Sequence, residues 1–126
     1  MNRIAALAAL ALLTAWHAPR RASPSDLVGT WTVDLRSTPT SAPYSQPFVV
    51  TAVDGDSLAG TFYGSEVRSA RLNLGWGAVR FAFTTRDGGG GAYHTSGVLR
   101  PDGTLEGTTH AVGRGFLAYW TAARAE

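Results

Sequence analysis

Short runs of alternating apolar and polar residues make up most of the chain after residue 27, and Gly, Asp and Pro separate them. A period of two is typical of β-strands with one buried face, and none of these runs has the 3.6-residue period of an amphipathic helix. Eight runs predict strands at 28–36, 47–54, 57–64, 66–73, 76–85, 92–100, 104–111 and 115–123. The sequence therefore predicts an all-β fold.

The same alternation divides the predicted strands into two faces. The face that we assign to the core carries Trp31, Val33, Leu35, Leu58, Phe62, Val79, Phe81, Phe83, Tyr93, Leu99, Phe116 and Trp120. The opposite face carries mostly Thr, Ser, Arg, His and Glu, which predicts contact with water. Strand 47–54 is apolar on both faces, so its orientation stays open.

One turn fixes the pairing of two neighbouring strands. Between Arg100 and Thr104, Pro101 sets the first turn position and Gly103 takes the left-handed bulge position of a three-residue hairpin. The resulting register predicts five cross-strand pairs: Leu99 with Leu105, Gly97 with Gly107, Thr95 with Thr109, Ser96 with Thr108, and His94 with His110.

Sequential antiparallel strands leave two exposed edges unless the sheet closes on itself. Closure produces an up-and-down barrel, and the short predicted turns suit that arrangement. The fold class that we predict is a closed eight-stranded antiparallel meander β-barrel that follows an N-terminal signal segment. A two-sheet sandwich is the alternative, but it needs longer crossovers than these turns supply.

The start of the chain differs from the rest. Arg3 is followed by an uncharged apolar run from Ile4 to Trp16, which is typical of a secretory signal and too short to span a bilayer at about 20 residues. We therefore divide the chain into a signal peptide with its linker, 1–24, and a single β-barrel domain, 25–126. The expected location is periplasmic or secreted, and an uncleaved anchor is the alternative.

Charge and cysteine content narrow the choice of partners. The whole chain has a net charge of +2, but three of its 11 basic residues are Arg3, Arg20 and Arg21, which leaves 8 against 9 acidic residues from Ser25 onward. A domain of charge −1 without a basic cluster predicts no nucleic-acid partner and, after processing, no membrane contact. No cysteine is present, so the fold depends on its core rather than on disulfides.

The segment Gly29-Thr30-Trp31, followed by FVVTAVDGDSLAGTF at 48–62, resembles the calycin group of barrels: lipocalins, fatty-acid-binding proteins and avidins. The spacing looks most like the first three strands of avidin and streptavidin. The long first loop, 37–47, looks more like the lid of a lipocalin, in which a late-strand arginine packs on the tryptophan; Arg124 is placed to do so with Trp31. The resemblance implies an eight-stranded barrel with a binding role.

Two departures argue against biotin as the ligand. In avidins a polar residue two places after the first-strand tryptophan helps to hold the biotin ureido group, and Val33 stands there in this chain. The aromatic residue of the third-strand segment is Phe62, which lacks the hydroxyl of the avidin tyrosine. The resemblance therefore names no ligand.

Inward-facing glycines leave open what the barrel encloses. The four of them are Gly60, Gly64, Gly97 and Gly107. They predict either a small aromatic-walled cavity or sharply coiled strands whose large neighbours fill the gap. Our first hypothesis is an exported, non-enzymatic binding protein for a small apolar or amphipathic ligand, which enters between the 37–47 loop and the 112–115 turn. The predicted ligand-binding residues are Tyr44, Trp76, Tyr93 and Arg114.

Two motifs suggest metal or phosphate chemistry but fall short of it. His94 and His110, opposed on neighbouring strands, are weak candidates for metal ligands, because zinc sites normally have three or four protein ligands and Glu106 lies out of reach. The run from Asp87 to Gly91 lacks the lysine and the helix of a P-loop and predicts a flexible hairpin loop. We therefore expect no metal and no cofactor.

Two other functions stay open. A secreted interaction or inhibitor domain would act through an apolar outer patch formed by Val49, Tyr63, Leu117 and Tyr119, and such a patch also suits a homo-oligomer. A hydrolase or isomerase would use His94 or His110. The chain has no strand-turn-helix nucleophile motif, so nothing in it predicts an enzyme beyond the presence of suitable residue types.

Overall fold

Nine antiparallel strands follow one another around a nearly closed barrel in the computed structural model, which describes residues 22–126. A 3₁₀ helix (Pro24–Leu27) precedes β1 (Gly29–Arg36), β2 (Tyr44–Asp54), β3 (Ser57–Phe62), β4 (Ser65–Glu66), β5 (Arg68–Asn73), β6 (Arg80–Arg86), β7 (Ala92–Leu99), β8 (Leu105–Ala111) and β9 (Phe116–Arg124). Chain neighbours pair throughout except between β4 and β5, and β1 also pairs with β9. The predicted meander barrel is confirmed.

The number of strands is nine rather than the predicted eight, because the expected strand 66–73 is interrupted. Val67 turns inward and is buried, Ser69 has a left-handed backbone (φ 52°), and the pairing register shifts between Arg68 and Arg71. The two pieces, β4 and β5, lie along β3. The Leu72 N–H donates to the Asp56 carbonyl at 2.6 Å, which links β5 to the turn before β3 where the two ends of the sheet meet.

The barrel has two ends, which we call the mouth and the base. The mouth carries the connections 37–43, 63–64, 87–91 and 112–115, and the base carries the 3₁₀ helix and the connections 55–56, 74–79 and 100–104. The predicted signal and linker, 1–24, lies almost entirely outside the described residues. Within residues 22–126, no helix has the length and apolar character required to cross a bilayer.

The predicted register of β7 and β8 is confirmed. The Arg100 N–H donates to the Thr104 carbonyl at 2.8 Å, and Gly103 has the expected positive φ of 85°. All five predicted pairs occur, from Leu99 with Leu105 to His94 with His110. A local turn signal therefore sets the depth of every side chain along these two strands.

Four interior layers run from mouth to base across β7, β8 and β9. They are Tyr93, Ala111 and Phe116; Thr95, Thr109 and Ala118; Gly97, Gly107 and Trp120; and Leu99, Leu105 and Ala122. The Trp120 ring occupies the space that the glycines leave, since a Cβ on Gly107 would lie 2.5 Å from its Cζ2 atom. The lower half of the barrel is therefore a packed core.

Most of the predicted core is buried, and the exceptions share one location. Trp31 and Trp120 are fully buried, whereas Leu35, Tyr93 and Phe116 are only partly buried. These three side chains lie at the mouth, where the packing stops before the barrel ends.

The base is closed by the 3₁₀ helix and two long side chains. Leu27 is fully buried, and its carbonyl accepts a hydrogen bond from the Trp31 indole Nε1 at 2.9 Å. The Arg124 guanidinium lies 4.3 Å from the Trp31 ring centroid and donates to the carbonyls of Val28, at 2.9 Å, and of Asp26. The predicted packing of Arg124 on Trp31 is confirmed.

Candidate functional site

A cavity of about 330 Å³ opens at the mouth. Its lining consists of aromatic, hydroxyl and charged side chains: Leu35, Tyr44, Phe62, Tyr63, Ser65, Thr85, Asp87, Tyr93, Thr109, Arg114 and Phe116. These residues come from β1, β2, β3, β4, β6, β7, β8 and β9 and from three of the four connections at the mouth, so the cavity is the unfilled upper end of the barrel interior.

One wall is built around Tyr63. Tyr63 (φ 52°) and Gly64 (φ 77°) form a two-residue hairpin turn with both residues left-handed, which is a type I′ turn. This backbone brings the Tyr63 ring to 5.3 Å from the Tyr44 ring and 4.9 Å from the Phe62 ring, measured between centroids. A left-handed tyrosine is uncommon, so surrounding contacts must hold it there.

The Tyr63 hydroxyl supplies one such contact. It donates to the Tyr44 carbonyl at 2.7 Å and ties the start of β2 to the β3–β4 turn. Burial, together with the nearby Tyr44, raises the pKa of Tyr63 above its ordinary value. The phenol is therefore neutral at any physiological pH, and its ring is a fixed wall rather than a titrating group.

The floor of the cavity consists of a layer of threonines with a layer of aromatic rings beneath it. Thr85, Thr95 and Thr109 are the buried polar residues of the barrel interior, and the hydroxyls of Thr95 and Thr109 hydrogen-bond each other at 2.9 Å. Thr85 and Thr109 face the cavity. Below them, the Phe62 ring contacts those of Phe83 and Trp120 at centroid distances of 5.4 and 5.8 Å, which closes the cavity from beneath.

Asp87 organises one side of the rim. Its Oδ1 accepts the backbone N–H groups of Gly89 at 3.0 Å and Gly91 at 2.9 Å, and its Oδ2 accepts the Tyr93 hydroxyl at 2.7 Å. The hydrogen bond from Tyr93, followed by that from Gly91, lowers the pKa of Asp87. The same bond raises the pKa of Tyr93. The rim is therefore held by an ionised carboxylate and a neutral phenol.

Arg114 is the one cationic side chain in the lining of this cavity. It lies in the turn between β8 and β9, and its Nη2 is 3.4 Å from the Asp87 Oδ2. The Arg114 side chain remains two-thirds exposed, at 67%. The mouth thus combines an aromatic slot with a loosely paired positive charge.

Three of the four predicted ligand-binding residues meet at this cavity. Tyr44, Tyr93 and Arg114 all line it, but Trp76 does not. The predicted strand 76–85 begins only at Arg80, so Trp76 belongs to the connection between β5 and β6 at the base. There it is 77% exposed, and the prediction that it shares the mouth is corrected.

Two residues that shape the site were missed at the sequence level. Strict alternation placed Tyr63 on the outer face, whereas the left-handed turn at Tyr63 and Gly64 rotates it into the mouth. Asp87 was grouped with the glycines that follow it as a flexible loop, although its carboxylate binds two of their N–H groups. The available signals were a glycine directly after the tyrosine and an aspartate directly before the glycines.

His94 and His110 lie opposite each other on the outer face, as predicted, and away from the cavity. Both are exposed, and their ring centroids are 6.3 Å apart. Among residues 22–126, no group of three His, Asp or Glu side chains is arranged to hold a metal ion. The carboxylate of Glu106 instead accepts the Tyr119 hydroxyl at 2.9 Å.

The predicted outer patch is smaller than expected. Leu117 and Tyr119 are 63% and 51% exposed on the outer face of β9. Val49 is half-buried, and Tyr63 belongs to the mouth. The patch therefore reduces to two neighbouring side chains.

A comparison of the chain with protein-family models, with curated proteins and with solved structures finds no match.

Proposed function

We propose that this chain is an exported, non-enzymatic binding protein whose barrel mouth holds a small apolar or amphipathic ligand. The observation that carries the proposal is the 330 Å³ cavity, in which aromatic rings form the walls and threonine hydroxyls form the floor. Ligand sites in proteins are concave and mostly apolar, with a few polar groups that orient the ligand, and their volumes begin at about 300 Å³. A compact ligand fits these dimensions.

The resemblance to calycins extends this proposal to the type of barrel. In support, Trp31 of the Gly-Thr-Trp segment packs under Arg124, a contact of the kind that the resemblance implied. Barrels of this group bind ligands at one end, and here the opposite end, the base, is occupied by Leu27 and Trp31. Export rests on the apolar run from Ile4 to Trp16.

The polar lining favours binding over catalysis. Asp87 is the one carboxylate in the lining, and three hydrogen bonds already occupy its two oxygens. Ser65 has no histidine beside it in the lining that could act as its base. These side chains suit the orientation of a ligand more than the transfer of a proton.

Native mass spectrometry of the full chain, purified without any stripping step, tests this function. We expect a small-molecule adduct on the wild-type protein. Ser65→Phe, which fills the cavity from its wall, should abolish the adduct, whereas Thr32→Phe on the exposed outer face of β1 should retain it. A bare mass for folded wild type, or equal adducts on both variants, would contradict the proposal.

The second candidate is an interaction domain that acts through its outer surface. The exposed pair Leu117 and Tyr119 favours it. It predicts a protein partner or a homo-oligomer that Leu117→Ser would disrupt. It also predicts that Ser65→Phe has no effect on that partner.

A further inference from the structure

The ion pair at the mouth has two unequally satisfied partners. Asp87 uses both carboxylate oxygens in hydrogen bonds of 2.7 to 3.0 Å with Gly89, Gly91 and Tyr93. Charge-assisted bonds between a guanidinium and a carboxylate are normally about 2.7–2.9 Å long. The contact of Arg114 with Asp87 is 3.4 Å and involves a single nitrogen. Asp87 therefore remains held in its loop if Arg114 leaves.

The polar groups at the rim that can still form hydrogen bonds with a ligand are therefore mainly the N–H donors of Arg114. A guanidinium carries five N–H groups in a planar fork, and one of those on Arg114 contacts Asp87. The Asp87 carboxylate, in contrast, has little capacity left for a cationic ligand. An incoming acceptor with a negative charge is the group that this rim can bind most strongly.

The remaining walls restrict what can be attached to that acceptor. Tyr44, Tyr63 and Phe116 present aromatic surfaces, which favour a flat ring through offset or edge contacts. The floor, at Thr109 and Phe62, stops a long chain from extending into the barrel, because the aromatic residues below it are packed against one another. The cavity therefore suits a short, flat body.

We propose that the ligand is a compact aromatic carboxylate, whose ring lies between the aromatic walls and whose carboxylate takes Arg114 from Asp87. This inference rests on the proposed function and specifies the ligand class of the same site. Asp87 then has two roles: it shapes the loop at Gly89 and Gly91, and it opposes the ligand as a like charge. Tyr93 keeps Asp87 in place when Arg114 turns to the ligand.

Three probes that share the naphthalene ring system and differ in charge test the ligand class: 2-naphthoate, 2-naphthamide and 2-naphthylmethylammonium. Calorimetric titrations at pH 7 should show the tightest binding for 2-naphthoate. Arg114→Gln should weaken 2-naphthoate by about tenfold or more, since it removes a hydrogen bond between charged groups, and should weaken 2-naphthamide less, since its neutral carbonyl accepts a weaker hydrogen bond. Arg86→Gln is the matched control, because Arg86 is an exposed arginine at the mouth end of β6 that lies outside the cavity lining.

A second variant tests the opposition by Asp87. Asp87→Asn keeps an acceptor oxygen for the loop N–H groups and removes the like charge, so 2-naphthoate should bind about fivefold more tightly. Tightest binding of the ammonium probe, or equal losses in Arg114→Gln and Arg86→Gln, would overturn the carboxylate assignment.

The outcomes also separate this inference from the proposed function. Equal affinity for all three probes, together with loss of binding in Ser65→Phe, would keep a ligand-binding mouth and overturn the carboxylate class. Absence of binding by all three probes would overturn the aromatic carboxylate class, and the adduct in native mass spectrometry would then decide the proposed function alone.

Discussion

At the base of the barrel, the Arg124 guanidinium lies 4.3 Å from the Trp31 ring and donates to two backbone carbonyls, whereas at the mouth Arg114 has a single contact of 3.4 Å with Asp87. Trp31 is fully buried, and Tyr44 at the mouth is 57% exposed. Both ends thus place an arginine near aromatic rings. At the base the arginine and the ring contact each other and the backbone, whereas at the mouth both Arg114 and Tyr44 remain largely exposed.

The difference separates the part of the barrel that stabilises the fold from the part that is free to bind. Burial of large apolar side chains is the main favourable contribution to folding, and it is concentrated from the Thr95 layer down to the base. Residues that contact a ligand need surface that the fold has left uncovered. The mouth has such surface on Tyr44, Tyr93 and Arg114.

The largest difference in the free energy of unfolding is expected when one aromatic residue at each end is replaced by alanine. Trp31→Ala removes a fully buried ring and leaves a cavity, so it should lower the free energy of unfolding by about 3–5 kcal/mol. Tyr44→Ala removes an exposed ring and should lower it by less than about 1 kcal/mol. Urea unfolding of both variants measures the difference, and similar losses for the two would contradict the division between base and mouth.

An intermediate effect is expected for the two arginines. Arg124→Gln forfeits the contact with the Trp31 ring and a charged hydrogen bond to the Val28 carbonyl, and should destabilise the protein by about 1–2 kcal/mol. Arg114→Gln should leave the free energy of unfolding unchanged within error, because exposed ion pairs contribute little. If Arg114→Gln destabilised the protein more than Arg124→Gln, the proposed freedom of Arg114 would be refuted.

The smallest effect concerns the pH dependence of the rim. Asp87 has a pKa below its ordinary value of 3.8, so its hydrogen bonds are fully present above that pH and are lost as the pH falls through the lower, folded-state pKa. Tyr93 has a pKa above 10.0, so its contribution is present below pH 10 and is lost as the pH rises through the folded-state pKa. The rim should therefore stay intact from about pH 4 to pH 10.

The amide chemical shifts of Gly89 and Gly91 measure this window by NMR. In wild type the midpoint of their acid transition should lie below pH 3.8, and in Asp87→Asn the acid transition should disappear from both amides. A midpoint above pH 4 in wild type would show that the carboxylate does not hold the loop.

The parts of the barrel that were predictable are those in which one local rule acts alone. The turn at Pro101 and Gly103 leaves a single register, and that register places Gly97 beside Gly107 correctly. Period-two alternation identified the buried faces of β1 and β6, because each of these strands has one buried face and one solvent-exposed face.

The parts that were not predictable depend on contacts between distant segments. Tyr63 faces the mouth because a left-handed turn overrides alternation, and its hydroxyl reaches Tyr44, 19 residues earlier in the chain. Trp76 begins the predicted strand 76–85, whereas the β6 ladder with β7 begins only at Arg80. No single stretch of sequence records these limits.

The pairing of Asp87 with Arg114 shows the same difficulty at the site itself. Their side chains meet across two loops that are 27 residues apart, so the charge on Arg114 was identifiable from the sequence but its competitor was not. The cavity, likewise, is a result of where packing ends. Predicting it would require the volumes of the Phe62, Phe83 and Trp120 side chains in their final positions.

The central claim is that the mouth, and not the base, binds an aromatic carboxylate. Its most direct test is a map of backbone amide chemical-shift changes when 2-naphthoate is added to the isotopically labelled protein. The account predicts changes at Thr85, Gly91 and Thr109 around the mouth, and none at Leu27 or Gly103 at the base. Changes confined to the base or to the outer face at Leu117, or no changes at the mouth, would contradict it.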